Sequence, residues 1–198
     1  MMNRQLPEQE QELVRRSRLG DERAFLELYL RHRDIVFGFA YRMLGERQAA
    51  EDVTQDCFLN LMRQLDRFDP AQASLGTYLY AMARNLCYKQ SRGVIGEEAA
   101  ESPTDREDGG SGPLMQLLEA ELSTQVAHAV AKLPEFQREV VILFEFEGLT
   151  LAEIAVIAEV DVGAVKSRLY RARQQLRNAL APYLKKDSVR VAGRNQND

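Results

Sequence analysis

Residues 93–113 read GVIGEEAAESPTDREDGGSGP, and they divide the chain. Five of the protein's 12 glycines and two of its 6 prolines fall there, with six acids and no aromatic residue. Such a stretch buries nothing and breaks both helix and strand, so it reads as a flexible acidic linker. It separates an N-terminal part, about residues 8–92, from a C-terminal part, about 114–184. Residues 185–198 read as a disordered tail. Elsewhere the apolar residues recur with helical period, and no alternation of strand type runs beyond a few residues. With 198 residues, 45% of them hydrophobic, the chain can build two small cores and is not disordered as a whole. The expected fold is all-α: two small helical domains joined by the linker.

In the first part, a helix is expected over Glu8–Leu19, ended by Gly20. A second follows Asp21, a good N-cap, through to Gly45. A third spans about Arg47–Leu65. At 100° per residue, Ala50, Val53, Cys57, Phe58, Leu61 and Leu65 share one side of it. The opposite side carries Asp52, Gln55, Asp56, Leu59 and Arg63. After Asp69–Pro70, Ser74 can cap a fourth helix reaching Arg92. Its core side is Leu75, Leu79, Met82 and Leu86; Thr77, Tyr80, Arg84, Tyr88 and Ser91 are expected to point outward.

In the second part, a helix over Leu114–Leu133 precedes one begun by Pro134 and ended by Gly148. Thr150 and Glu153 have capping-box spacing, starting a short helix Leu151–Ala158. Asp161 can cap a last helix, from Val162 until Pro182 disturbs it. Val162, Val165, Leu169, Ala172 and Leu176 repeat at 3-4-3-4 and face inward. Lys166, Ser167, Arg168, Tyr170, Arg171, Arg173 and Gln174 remain for the outer side.

A net charge of −4 and a pI near 5.4 argue against nucleic acid when averaged over the chain. The charge is segregated, however. Pro134–Asp161 holds seven acids and one base, whereas Val162–Arg194 holds nine bases and one acid. Pro70–Gly96 has no acid at all, against Arg84, Lys89 and Arg92. Local patches, not averages, govern partners.

Three constellations carry chemistry. Residues 148–177 form a helix-turn-helix pattern: a short capped helix, a tight turn and a longer basic helix of the size that enters a DNA major groove. The fourth helix interleaves Tyr78, Tyr80 and Tyr88 with Arg84, Asn85, Lys89 and Arg92, the combination of platforms and cations that unstacked single-stranded bases require. The stripe Asp52, Gln55, Asp56, Leu59, Arg63 sets an outward leucine among polar groups, which suits a protein contact. Against these stand plain readings: a helical hairpin with a solvated basic face, tyrosines at a core edge, and a solvated acidic face.

Cys57 and Cys87 make neither a metal spacing nor a disulfide framework and fall on apolar positions, as buried small hydrophobes in a reducing compartment. His32 and His128 read as lone and unpaired, so neither a metal site nor any cofactor is expected. The N-terminal residues have no signal-peptide h-region, and the longest apolar run, Val140–Phe144, cannot span a bilayer. A cytoplasmic protein is expected.

DERAFLELYLRHRDIVFGFAYRML, AEDVTQDCFLNLMR, TYLYAMARNLCYKQSR, LPEFQREVVILFEFEGLTLAEIA and VGAVKSRLYRARQQLR, in this order, resemble an extracytoplasmic-function sigma factor of the sigma-70 family. The resemblance covers about residues 21–92 and 120–181. It implies a sigma-2-like domain in residues 8–92 and a sigma-4-like domain in residues 114–184. The stripe from Asp52 to Arg63 then resembles the surface that docks on RNA polymerase core. Asp69–Arg92 resembles the element that opens and reads the minus-10 region as single strand, and the last helix the reader of the minus-35 duplex. The implied protein is a non-enzymatic initiation subunit, usually held by an anti-sigma factor. Tyr78 stands where the family commonly has Trp, and Ala164 where Thr is frequent. The sigma-1 and sigma-3 domains of larger relatives have no counterpart in the sequence. A dimeric helix-turn-helix regulator with an N-terminal sensor domain is the alternative; a ligand pocket in residues 8–92 and palindromic sites would favour it. An all-helical enzyme would need a cofactor or a paired acid–base site, and neither is visible.

Overall fold

A computed structural model of the chain describes residues 8–93 and 123–192. The linker beyond Gly93, residues 114–122 of the helix expected to follow it, and the last six residues of the expected tail lie outside the described residues. Every regular element among those described is helical. The N-terminal part contains α1 (Glu8–Arg18), α2 (Glu22–Leu44), α3 (Arg47–Gln64), a single 3-10 turn at Leu65–Arg67, and α4 (Leu75–Gly93). The C-terminal part contains α5 (residues 123–131), α6 (Glu135–Val141) with a π-helical extension Ile142–Phe146, α7 (Leu151–Ala158) and α8 (Val162–Ala192).

Helix starts follow local chemistry. Asp21 accepts from the N–H groups of Arg23 and Ala24, Ser74 from that of Thr77, and Asp161 from that of Ala164. Each satisfies donors that the first helical turn leaves without partners. Thr150 and Glu153 form the full reciprocal capping box. Gly148 takes φ +66°, which a side chain would strain, and turns the chain from α6 into α7.

The N-terminal core is built by α1–α4. Leu28, Phe39, Leu61, Leu75 and Leu79 are fully buried, and removing each such side chain from water contributes about 1.5–3 kcal/mol. Tyr29 meets Phe58 edge-on at 4.9 Å, and Phe39 meets Tyr80 at 5.6 Å. Arg18 donates to the carbonyls of Leu65 and Phe68, fixing the turn between α3 and α4 to the end of α1. Both cysteines are buried in this core. Burial pushes their thiols up to about 12, so neither is a thiolate at neutral pH. In the C-terminal part, Ile142, Leu143, Ile154, Ile157 and Val165 make the core.

Four expectations change. Val162, expected to face inward, is 38% exposed at the start of α8. His32 is not unpaired: its Nε2 lies 2.6 Å from Glu10 Oε1, and both side chains are largely buried. The helix after Pro134 does not keep one period to Glu147. Its last turn widens, so the Glu147 N–H bonds the Ile142 carbonyl five residues back. Finally, α8 passes through Pro182 and continues to Ala192, beyond the limit expected at 184 and into the segment read as a disordered tail. Proline removes the bond to the carbonyl of Asn178, but that residue is exposed, so water can serve the carbonyl.

Candidate nucleic-acid interface

The face of α3 is as its period demands. Ala50, Val53, Cys57, Phe58 and Leu61 are buried, while Asp52, Gln55, Asp56, Leu59 and Arg63 are all exposed. Met62, 56% exposed, adds a second large apolar group that the polar stripe concealed. Leu26 and Leu30 on α2 are also more than half exposed. Solvated apolar side chains of this size are the usual currency of protein contacts.

In α8, Lys166, Ser167, Tyr170, Arg171 and Arg173 are exposed. They are held outward because Val165, Leu169 and Ala172 are anchored in the core. Tyr170 is 66% exposed and Val156, on α7, 58%. Arg173 is engaged by Glu145 at 2.7 Å across an exposed pair. Arg168 and Gln174 are only half exposed. The Arg168 guanidinium lies over the Phe136 ring at 5.1 Å and turns toward the protein, away from the solvent side expected for it. The turn between α7 and α8 places Glu159 at φ 54°, a left-handed conformation rare for a residue with a side chain.

The side of α4 expected to face outward is largely covered. Thr77 and Tyr80 are each 4% exposed. Arg84 and Tyr88 are partly buried, and Tyr78 packs on Phe68 with ring centroids 5.2 Å apart. Asn85, Lys89 and Arg92 are exposed. Tyr80 also meets Phe39 of the N-terminal core, and what covers Arg84 and Tyr88 is the C-terminal part. Arg84 Nε donates to Glu139 Oε1 at 2.7 Å, and Tyr88 OH to Glu139 Oε2 at 2.5 Å. Tyr80 OH donates to Glu147 Oε2 at 2.6 Å, and Arg42 to Glu147 Oε1 at 3.1 Å. Burial first, and then these carboxylates, raise both tyrosine hydroxyls well above their ordinary range, so they stay protonated donors. Arg138 donates to the Met43 carbonyl at 2.6 Å and to the Ala131 and Leu133 carbonyls. Beside this junction lies a cleft of about 370 Å³, lined by Arg84, Asn85, Tyr88, Lys89, Arg92 and Phe136.

Sequence reasoning therefore brought together the cations and tyrosines of α4 but missed Glu139, Glu147, Arg138 and Arg42. One signal was present. Phe136, Val140 and Leu143 share a side of α6, and Glu139 sits among them, on a face where a charge demands a partner. Among the described residues no cluster of metal-ligating side chains occurs, and no helix is long and apolar enough to cross a membrane.

Comparison with known proteins completes the picture. Residues 28–93 match the family model for sigma-70 region 2, and residues 123–176 that for sigma-70 region 4. The chain is 33% identical over 189 residues to the RNA polymerase sigma-H factor of Pseudomonas aeruginosa, covering 90% of this chain and 97% of that protein. It is 30% identical to the ECF RNA polymerase sigma factor SigW of Bacillus subtilis, covering 84% and 94%. The solved structure of CnrH, in complex with the cytosolic domain of CnrY, matches with a TM-score of 0.66 at 26% identity, over 88% of this chain and 99% of that one. The RpoE sigma factor of Bartonella quintana, solved with the anti-sigma factor NepR, matches with a TM-score of 0.66 at 25% identity, over 79% and 96%. These matches do not favour the dimeric regulator with a sensor domain. The chain belongs to the sigma-70 family as an extracytoplasmic-function RNA polymerase sigma factor, a subunit that directs RNA polymerase core to specific promoters and promotes DNA melting at initiation.

Proposed function

We propose that three faces divide this work. The exposed stripe Asp52, Gln55, Asp56, Leu59 and Arg63 docks on core polymerase. The outer face of α8, with Lys166, Ser167, Tyr170, Arg171, Arg173 and Gln174, reads the minus-35 duplex, and Arg168 joins it by swinging off the Phe136 ring. The α4 set Tyr78, Tyr80, Arg84, Asn85, Tyr88, Lys89 and Arg92 captures the minus-10 region as single strand. Residues 8–92 thus act as the core- and minus-10-binding domain and residues 114–184 as the minus-35-binding domain. The observation that carries this division is the helix-turn-helix of α7 and α8. It anchors one side of a basic helix in a core and leaves the other side to solvent, the geometry that a major groove accepts.

The protein contributes binding energy and no chemistry of its own; RNA synthesis belongs to the polymerase, and the work is done in the cytoplasm. Capturing unstacked bases favours the melted state by the difference in affinity for single strand and duplex. The RpoE relative was solved with an anti-sigma factor, which supports a regulator of that kind for this chain. It would cover the same faces. The test is transcription in vitro with core polymerase, with and without this protein. Promoter-specific transcripts that depend on the added chain are expected, and they should weaken when Asp52→Ala and Leu59→Ala are combined. Core retained at wild-type yield by that double variant would remove the assignment of the α3 stripe.

A further inference from the structure

We propose that Arg18, at the end of α1, is a positioning residue for strand capture: it holds the Leu65 and Phe68 carbonyls, and so fixes the Phe68 ring and the Tyr78 platform that packs on it. The inference rests on the reading of Tyr78 given above and deepens it. It gives a role to α1, which lies before the residues that match the region 2 family model.

Arg18 starts from a fixed point. Leu13 and Val14 anchor α1 in the N-terminal core. Glu10 on α1 meets His32 on α2 at 2.6 Å, and Arg16 pairs with Asp21, the cap of α2, also at 2.6 Å. From there the Arg18 side chain reaches the turn between α3 and α4. Its Nε donates to the Leu65 carbonyl at 3.2 Å and its Nη2 to the Phe68 carbonyl. The Leu65 carbonyl also takes the Phe68 N–H, closing the 3-10 turn. Helix ends leave carbonyls without helical partners, and a guanidinium serves two at once because its donors lie in one rigid plane. Arg18 is itself exposed, so filling the core is not its task.

The turn matters for what it carries. Phe68 is 2% exposed and packs on Tyr78 at 5.2 Å, with the rings tilted by 46°. Tyr78 is half-buried, so Phe68 backs part of the ring and the rest meets solvent. Beyond Phe68 the loop is ordered by its own first residue. Asp69 accepts from the Ala71 N–H and from Gln72 Nε2, each at 2.9 Å. Ser74 then caps α4 through the Thr77 N–H, one residue before Tyr78. These bonds are local: they give the loop a shape but do not place it against α1. The Arg18 fork supplies that placement. A base stacks best on a ring already held in plane, because a ring left to tilt must be ordered at the cost of affinity.

The test uses holoenzyme assembled from core polymerase and the full chain, with Arg18→Met, Arg18→Lys, Tyr78→Ala and the pair Arg18→Met with Tyr78→Ala. Each binds a fluorescent fork cut from a promoter that the wild type transcribes, with its minus-10 segment single-stranded. A second fork carries abasic sugars at those positions. The ratio of the two affinities reads base capture and cancels effects on core binding or on overall stability. Arg18→Met should lower the ratio about five-fold, within the range of one stacked base. Arg18→Lys should recover part of it, since an ammonium can still serve one carbonyl. Tyr78→Ala should lower it as much, and the pair should lose little more than either alone, as expected of residues that act through one contact. Should Arg18→Met loosen the domain, seen as lost helical circular dichroism, Arg18→Lys gives the same reading at smaller size. A ratio kept by both Arg18 variants while Tyr78→Ala loses it overturns the positioning role alone. Losses that add in full also overturn it. A ratio kept by Tyr78→Ala removes the single-strand reading of Tyr78 and this role of Arg18 with it.

Discussion

At the scale of single residues, two positions show how local chemistry sets stability here. Glu159 adopts φ 54° in the turn of the helix-turn-helix, a conformation that costs a residue with a Cβ about 1–2 kcal/mol. Glycine adopts it freely, though it also gains freedom in the unfolded chain. Glu159→Gly should therefore stabilise the C-terminal domain by up to about 1 kcal/mol. A lowered denaturation midpoint would show that the Glu159 side chain makes up the difference elsewhere. Asp21 caps α2, and its carboxyl is held below the ordinary range first by the hydrogen bond from Arg16 and then by the Ala24 N–H. A lowered value in the folded state means a contribution present above the unfolded value of about 3.9 and lost as pH falls through the folded one. Asp21→Asn should thus lower the urea midpoint at pH 7, and the gap to wild type should close in strong acid. A gap independent of pH would assign the effect to cap geometry alone. Caps of this kind were legible in the sequence because they need only neighbours within three residues. Glu159 was not, because nothing in its chemistry marks a left-handed turn.

At the scale of elements, periodicity carried the reading as far as one helix can be read by itself. Every position assigned outward on α3 is exposed, and the hydrogen-bond partner of Asp52, Gln48, lies on the same helix. The same method failed on Tyr80 and Arg84. Their outward side is covered by residues 55 to 67 positions away in sequence, and a local pattern holds no record of so distant a contact. The π-helical turn at Ile142–Phe146 was hidden for a related reason: one widened turn shifts the phase without altering composition. On α8 the reading can be tested directly. Arg171 and Lys166 are exposed beside an anchored core stripe, so each can reach a base edge or a phosphate. Arg171→Ala should weaken binding to minus-35 duplex by about 1–3 kcal/mol if it reads a base. Lys166→Ala should instead lower affinity evenly across sequences and reduce the salt slope by about 1. Arg173 is a weaker choice, because Glu145 already holds it. Duplex affinity and salt slope unchanged in both variants would return α8 to a solvated basic face.

At the scale of the whole molecule, the question is what the acidic segment after α4 does. It starts one residue past Arg92, and its first acids are Glu97, Glu98 and Glu101. Twenty-one residues can reach roughly 70–75 Å when extended, enough for two domains to engage separate stretches of duplex. A plain tether would need only that length. The sequence offers more, since six negative charges are attached next to the exposed Lys89 and Arg92. A local anion competes with a strand for those cations, and the competition is screened by salt over about 10 Å at 0.1 M. Replacing the six acids by serine should therefore raise affinity for a short single strand at low salt, by about two- to five-fold, with the gain lost near 1 M salt. Shortening the segment by about half should leave that affinity alone and reduce use of promoters whose two elements lie far apart. The two changes separate charge from reach. Serine substitution without effect at any salt, alongside a shortened chain that fails on widely spaced promoters, would make the segment a tether whose acids serve solubility alone.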